Sequence, residues 1–288
     1  MDTDEEETRS LLRRDYTVFE KWIEDDHILD LIDKDDYVLI DSYYVDMLLL
    51  RKVNESCRRL IVIDDNMRLP YEEMTIINPN YFGVYLDYPQ DRGNRYYLGK
   101  DCTLLRREFK RNGPKVIREK VENILITFGG TDVLQMTDKV IAFIKGIDSS
   151  VHLDVVATPV FPNMEAIRDA MGAGDELHIG ITAQEMAALM EKADFAAASG
   201  GQSSNELIRM QCPAALMAVA DNQVLNLKYL SQHGTIRTFD AADMSAIRDL
   251  FAYQERKRLA DGLADLYSDK NAADVIIDLM ERTDGQDA

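Results

Sequence analysis

The chain has 288 residues, 46% of them hydrophobic, and 33 Lys and Arg against 52 Asp and Glu give a formal net charge of −19. That is apolar material for about two domains. The charge repels phosphate backbones and anionic membranes, which excludes nucleic acid and membrane as main partners. No apolar run reaches the length of about 18 residues that a membrane-spanning helix needs. Residues Met1, Asp2, Thr3, Asp4 and Glu5 lack the basic and apolar stretches of a signal peptide. The isolated cysteines Cys57, Cys102 and Cys212 fit reduced thiols. The expected location is the cytoplasm. The acid is unevenly placed: residues 1–36 hold 14 Asp and Glu against 5 Lys and Arg, a net of −9.

Helix-like sequence comes first, over Thr8–Arg14 and Phe19–Ile32. Short apolar runs then alternate with helical patterns, which predicts parallel sheets covered by helices. In the first part the strands expected are Tyr37–Ile40, Leu60–Ile63, Thr75–Ile77 and Tyr96–Leu98, followed by a helix over Leu104–Lys110. The polar segment 111–115, with its Gly113-Pro114 breaker, is expected to link the domains, giving boundaries of 1–113 and 114–288. In the second part the strands expected are Asn123–Thr127, His152–Ala157, Glu176–Ile179, Phe195–Ala198, Ala215–Ala218 and Thr235–Thr238. Helices are expected between them over Asp132–Ile147, Asn163–Met171, Ala183–Lys192, Ser203–Met210 and Gln223–Gln232. A helical tail from about Asp240 to Met280 follows. The second part reads as a complete doubly wound domain, the first as an incomplete one.

Three strand ends in the second part carry ligand-binding signals. Ile126-Thr127-Phe128-Gly129-Gly130-Thr131-Asp132 runs an apolar strand into two glycines and a helix. Glycines let backbone approach a ligand, and free N–H groups at a helix start favour an anion. The same sequence also suits a tight turn with Thr131 or Asp132 as N-cap. Ala198-Ser199-Gly200-Gly201-Gln202-Ser203 repeats the pattern, with Glu206 placed to accept from vicinal hydroxyls. Ser203 and Glu206 also have the spacing of a capping box. Asn222 and Gln223 open the next helix, where Asn222 is a reasonable cap. In the first part, Asp41-Ser42-Tyr43 and Asp64-Asp65-Asn66 end strands. The Asp64–Asp65 pair could serve acid–base or metal chemistry, but a strand-end Asp more often caps the following turn, and no metal site is expected. His27, His152, His178 and His233 all read as structural. The clusters Arg9, Arg13, Arg14 and Arg106, Arg107, Arg111 read as solvated helix faces.

Together with Asn78-Pro79-Asn80 and Leu104–Phe109, these motifs in this order resemble a known family. It is the UDP-2,4-diacetamido-2,4,6-trideoxy-β-L-altropyranose hydrolase of pseudaminic acid biosynthesis, with its relatives among spore-coat polysaccharide biosynthesis proteins. The resemblance implies an α/β, glycosyltransferase-B-like architecture of two Rossmann-like domains. It implies UDP-sugar as small-molecule substrate, and cleavage of the sugar C1–O bond by water without metal or cofactor. By position, Gly129, Gly130, Thr131, Ser199, Gly200, Gly201 and Ser203 would line the diphosphate. Glu206 would take the ribose, Asn222 and Gln223 the phosphates or sugar, and Tyr43 would support catalysis from the N-terminal domain. The family's opening strand and G-x-G-H-x-x-R segment, with the histidine proposed as base, has no counterpart here, as if roughly 60 residues (about two βα units) were missing. Three readings follow: a UDP-sugar hydrolase, inactive or weakly active as it stands; a transferase of the same architecture; or a non-catalytic nucleotide-sugar-binding subunit, with a partner chain completing the N-terminal domain.

Overall fold

The computed structural model describes Ile23 and residues 27–281. The expected helix Thr8–Arg14, most of Phe19–Ile32 and the cluster Arg9, Arg13, Arg14 lie outside them; a short 3-10 helix covers His27–Leu31. Two compact units emerge. Among the described residues, the first comprises those up to 79, 86–97 and 276–281, and the second residues 80–85 and 98–275. The 111–115 segment therefore lies inside the second unit, not between domains. The reason is local: the Arg111 side chain is buried, donates to the Gly113 carbonyl at 3.1 Å and pairs with Glu191. The Lys115 N–H donates to Gln211 at 3.1 Å.

In the first unit, β1 (Tyr37–Asp41), β2 (Arg59–Ile63), β3 (Thr75–Ile77) and β4 (Arg95–Tyr97) form a parallel sheet in the order β1-β2-β3-β4. All four expected strands are present, shifted by at most a residue at an end. Helix α1 (Met47–Ser56) starts at Asp46, whose carboxylate accepts the Leu49 N–H at 2.9 Å. It buries Leu49, Leu50 and Val53, spaced to form one apolar stripe.

The second unit holds β5 (Asn123–Thr127), β6 (His152–Ala157), β7 (Glu176–Ile179), β8 (Phe195–Ser199), β9 (Ala214–Met217) and β10 (Arg237–Thr238). Their order is β10-β9-β8-β5-β6-β7, all parallel. This is the doubly wound order, and it reverses between β5 and β8. The helices are α2 (Thr137–Ile147), α3 (Met164–Ala170), α4 (Ala183–Lys192), α5 (Gln202–Arg209) and α6 (Asp221–Gln232). After them come α7 (Ser245–Asp249) and α8 (Tyr253–Asp265), and α9 (Ala272–Glu281) spans the division, its residues from 276 on counting with the first unit. Strand alternation sorts the core into two faces. Ile124 and Ile126 pack with Val140, Ile141 and Ile144 of α2. Leu125, Ala196 and Ala198 pack instead with Met190 of α4, Leu207 of α5 and Leu227 of α6.

Two expected helices differ. Leu104–Lys110 is not helical; Phe109 is buried in the second core face and the Leu104 carbonyl accepts from Gln202 Nε2, so tertiary contacts override local propensity. The helix expected from Asp132 starts at Thr137, because Asp132 and Gln135 have φ of 40° and 50° and cannot continue a right-handed helix.

At the amino ends of the central strands, the buried Asp194 carboxylate accepts the N–H groups of Glu122 at 2.7 Å and Asn123 at 2.9 Å and pairs with Arg118 at 2.8 Å. Asp194→Ala leaves two N–H groups without their acceptor, and the expected loss of stability is about 2–4 kcal/mol. Urea unfolding measures it; a loss within about 0.5 kcal/mol, the range of ordinary surface substitutions, would contradict this role.

Candidate functional site

The carboxyl ends of β5 and β8 bracket the strand-order reversal, the place where open α/β sheets receive ligands. After β5 the chain turns at Gly129, whose φ of 73° suits glycine, and Gly129, Gly130 and Thr131 are exposed. Thr158, following β6, donates to the Gly130 carbonyl at 2.6 Å and fixes that peptide. Behind the turn, buried Asp132 accepts the N–H groups of Met136 at 2.9 Å and Thr137 at 3.0 Å. Asp132 thus caps α2, and Thr131 is left outside the helix.

After β8, Ser199 is buried beside this turn: a Cβ built on Gly129 would lie 3.6 Å from its Oγ. Gly200 is held by its N–H on the Met217 carbonyl at 2.8 Å. A Cβ on Gly200 would lie 2.8 Å from three carbons of Leu227, so only glycine lets β8 and α6 approach this closely. Gly201 is the N-cap of α5 and has no side-chain cap. The first N–H groups of the helix therefore have no side-chain cap from that residue. The expected capping box is absent because Ser203 sits within the helix, one residue past its start.

Glu206 lies one turn further, 5% exposed, and pairs with the exposed Arg106 at 3.2 Å. Burial pushes its carboxyl above the usual range, and the Arg106 hydrogen bond and charge only partly offset this. Gln223 reaches back from the first turn of α6. Its Oε1 accepts the Val219 N–H at 3.0 Å, and its Nε2 lies 3.3 Å from the Cβ position of Gly201. Asn222 does not cap α6: Ala220 occupies that place and Asn222 is exposed in the first turn. The second unit thus gathers Gly129, Gly130, Thr131, Ser199, Gly200, Gly201, Ser203, Gln223 and Asn222 along one sheet edge, with Glu206 a turn behind.

Sequence reasoning missed Ser204 and Asn226. The Ser204 hydroxyl donates to the Gly201 carbonyl at 2.7 Å and accepts from Asn226 Nδ2 at 3.0 Å. Both residues are buried, and Asn226 Oδ1 has no hydrogen-bond partner among the described residues. The S-S-N run drew attention to Ser203 through its capping spacing, while Ser204 carries the contact.

Tyr43 belongs to the first unit, where its hydroxyl donates to Asp65 at the ends of β1 and β2. Asp64 accepts main-chain N–H groups of Asn66 at 3.3 Å and Arg68 at 3.1 Å, the turn-capping role. Burial raises its carboxyl above the ordinary range. Arg68 donates to the carbonyls of Ser42 at 3.0 Å and Val45 at 3.1 Å, which ties the two strand ends together. His233 ends α6, bonded to the Tyr229 carbonyl at 2.8 Å and stacked on Tyr85 at 4.0 Å. Cys57, Cys102 and Cys212 are buried and unpaired with one another. Among the described residues no helix is long and apolar enough to cross a membrane.

No protein-family model matches the chain. It is 24% identical over 195 residues to an uncharacterized protein of Methanocaldococcus jannaschii, covering 64% of this chain and 40% of that protein. It is 24% identical over 205 residues to the spore coat polysaccharide biosynthesis protein SpsG of Bacillus subtilis, covering 69% and 60%. A third relative, from Helicobacter pylori, is described as a pseudaminic acid cytidylyltransferase and UDP-2,4-diacetamido-2,4,6-trideoxy-beta-L-altropyranose hydrolase. The match is 22% identical over 205 residues, 70% of this chain and 37% of that one. The chain spans between 37% and 60% of the length of these curated relatives. Among solved structures, MurG of Acinetobacter baumannii aligns with a TM-score of 0.58 at 13% identity, over 90% of this chain and 76% of that one. The spinosyn rhamnosyltransferase SpnG aligns with a TM-score of 0.54 at 13% identity, over 84% and 72%. These likenesses establish the fold: α/β, of the glycosyltransferase-B kind, with two Rossmann-like units.

Burial of Glu206 has a pH consequence. Its carboxyl holds a proton in the folded chain over a pH range where the unfolded chain, near the ordinary value of 4.5, has lost it. Stability contributed here is full below that ordinary value and falls as pH rises through the raised folded one. Glu206→Gln removes this dependence, so the variant gains on the parent as pH goes from about 4 to about 7 in paired urea titrations. A parent-to-variant difference that is flat over this range would contradict a carboxyl raised by burial.

Proposed function

We propose that the chain binds a nucleotide sugar at the carboxyl edge of the second unit's sheet and acts as a UDP-sugar hydrolase. The observation that carries this reading is the pair of glycine turns, Gly129-Gly130 and Ser199-Gly200-Gly201, on either side of the strand-order reversal. The uncapped start of α5 offers N–H donors and the positive end of a helix dipole to a diphosphate. Gly130, with nothing within 4 Å of its Cβ position, leaves room for a phosphate oxygen to meet backbone. Thr131, Ser203 and Asn222 add polar groups along that edge, and Gln223 braces the Gly201 turn. Glu206 accepts the ribose hydroxyls once Arg106, whose side chain is 64% exposed, swings away or moves to a phosphate.

In the hydrolytic reaction, water oxygen bonds to the sugar C1 as the C1–O bond to the diphosphate breaks. The products are UDP and a free deoxy-amino sugar for surface-glycan or nonulosonic acid synthesis. The relatives from Bacillus subtilis and Helicobacter pylori support this assignment. Tyr43, hydrogen-bonded to Asp65 in the first unit, is the supporting catalytic group in this reading. A general base is not among the four histidines. His152 and His178 are engaged with Asp154, and His233 with Tyr229 and Tyr85, while His27 lies in the 3-10 helix before β1. The domain boundary at 113/114 is not part of the proposal, since the units divide elsewhere.

The transferase reading rests on the likeness to MurG and the spinosyn rhamnosyltransferase, which share the fold. Product analysis separates the two: UDP with free sugar in the absence of an acceptor marks a hydrolase, whereas acceptor-dependent UDP release marks a transferase.

Calorimetry with UDP tests the shared site. Glu206→Ala is expected to weaken UDP binding by about 1–3 kcal/mol through the lost ribose bonds. Gly130→Ala, which meets open space and has no positive φ, is expected to fold normally and bind UDP at least about tenfold more weakly. UDP binding by Gly130→Ala at parental affinity would remove the glycine turn from the site.

A further inference from the structure

The second unit carries another cluster, on the sheet face covered by α4 and remote in sequence from the glycine turns. His152 and Asp154 sit two residues apart on β6 and so share a face; Glu176 and His178 share a face on neighbouring β7, with Asp154 paired to Glu176 in register. Asp154 is 1% exposed in its side chain, whereas both histidines are 22% exposed. Its Oδ1 lies 3.2 Å from His152 Nε2 and 2.9 Å from His178 Nε2, and its Oδ2 lies 3.0 Å from Lys192 Nζ. Glu176 Oε2 lies 3.7 Å from His178 Nε2. Ligand atoms of His152, Asp154 and Glu176 all fall within 4.8 Å of one another.

The proton positions make this more than an ion-pair network. His152 Nδ1 lies 2.6 Å from the Gly174 carbonyl, an atom that can only accept, so Nδ1 carries the proton. A neutral ring then turns the bare lone pair of Nε2 toward the Asp154 carboxylate, a repulsive contact. Only a second proton on the ring or a cation between the two relieves it. A backbone carbonyl that fixes Nδ1–H and aims Nε2 at a shared point is the usual support of a metal-bound imidazole. The spacing agrees. A tetrahedral ion with bonds of about 2.0–2.1 Å sets its ligand atoms about 3.3–3.4 Å apart; the His152–Asp154 contact is 3.2 Å, and a Glu176 oxygen lies within 4.8 Å of both ligand atoms.

We propose that His152 Nε2, Asp154 and Glu176 form a binding site for a divalent transition metal, with zinc the best match to an imidazole and two carboxylates, and that His178, 2.9 Å from the same Asp154 oxygen, supports Asp154 from outside that group. Asp154 bridges the two rings, and Glu176, 63% exposed in its side chain, swings in as the outer ligand. Lys192, 41% exposed in its side chain at the end of α4, turns outward when the ion neutralises Asp154. The ion clamps edge strand β7 to β6, so its role is to stabilise the second unit. The inference is independent of the nucleotide-sugar reading.

The test uses the full chain stripped of metal by a chelator and then dialysed. Zinc affinity is measured by competition with a chromophoric chelator, and thermal unfolding is followed with and without zinc. One equivalent is expected to bind with Kd at or below about 1 μM and to raise Tm. His152→Ala and His178→Ala are each expected to weaken binding at least about tenfold and to abolish the Tm shift. His233→Ala, on the end of α6, is expected to leave both unchanged. Circular dichroism confirms that each variant is folded, and cobalt in place of zinc is expected to give a tetrahedral visible spectrum that both His152→Ala and His178→Ala lose. Zinc binding only at about millimolar levels, or binding that His152→Ala and His178→Ala leave at parental strength, overturns the site.

Discussion

The second unit depends on one constraint: β5 and β8 are neighbours, yet their outgoing chains must leave toward opposite edges of the sheet. Chain handedness then sends α2 to one face and α5 to the other, as the two core faces record. The strand ends part where the helices part, and backbone there faces open space. The amino ends of the same two strands are clamped together by Asp194 on Glu122 and Asn123. With the strands pinned at one end and their outgoing helices parted at the other, the turn backbone at Gly130 is left with nothing within 4 Å of its Cβ position.

What fills β8 follows from that geometry. Helices press on both of its faces, and Ala196, Ala197 and Ala198 are fully buried. Larger side chains would hold the helices away and open voids at the centre of the sheet. The same closeness forces glycine at residue 200, against Leu227. Small residues therefore serve packing and, in the proposed function, ligand approach at once. Glu206 shows the cost of such a site: its carboxyl is held in a buried place where burial favours the protonated form. A position that merely packed would be filled by an apolar side chain. Retaining a carboxylate there, with Arg106 as its exposed partner, suits a group that exchanges partners on binding.

Most of the sheet was legible because parallel strands buried on both faces read as apolar runs, and Asn123–Thr127, His152–Ala157 and Glu176–Ile179 fall on the strands residue for residue. Leu104–Lys110 misled because an amphipathic pattern also fits an extended segment with one buried anchor, here Phe109. The α2 start was misread because Asp132 caps at a distance, with its side chain reaching residues four and five further on. The linker failed for a related reason: Gly113-Pro114 does break regular structure, but it does so on the surface of one unit, where Arg111 and Lys115 are anchored on either side. Breakers mark irregular backbone and carry no information about which side chains beyond them are buried.

The histidines were legible as residues and not as a group. His152 and His178 are 26 positions apart in sequence, and what joins them is the register of β6 against β7, fixed by the pairing of Asp154 with Glu176. A two-residue slip of β7 would keep the same face turned inward but would change which residue stands opposite Asp154, in one direction carrying His178 away from it. Register on this edge is therefore held by more than apolar burial, and charge supplies what apolar alternation cannot. A single buried carboxylate recognises His178 on one side and Lys192 on the other. Burial alone raises the Asp154 carboxyl, but its contacts with His178 and Lys192 hold it below the usual range. Its stabilising contribution is present above the ordinary carboxylate range and fades as acid protonates it through the lowered value. The edge strand is thus registered by an ionic group at neutral pH and loses that register signal before the apolar core loses its own.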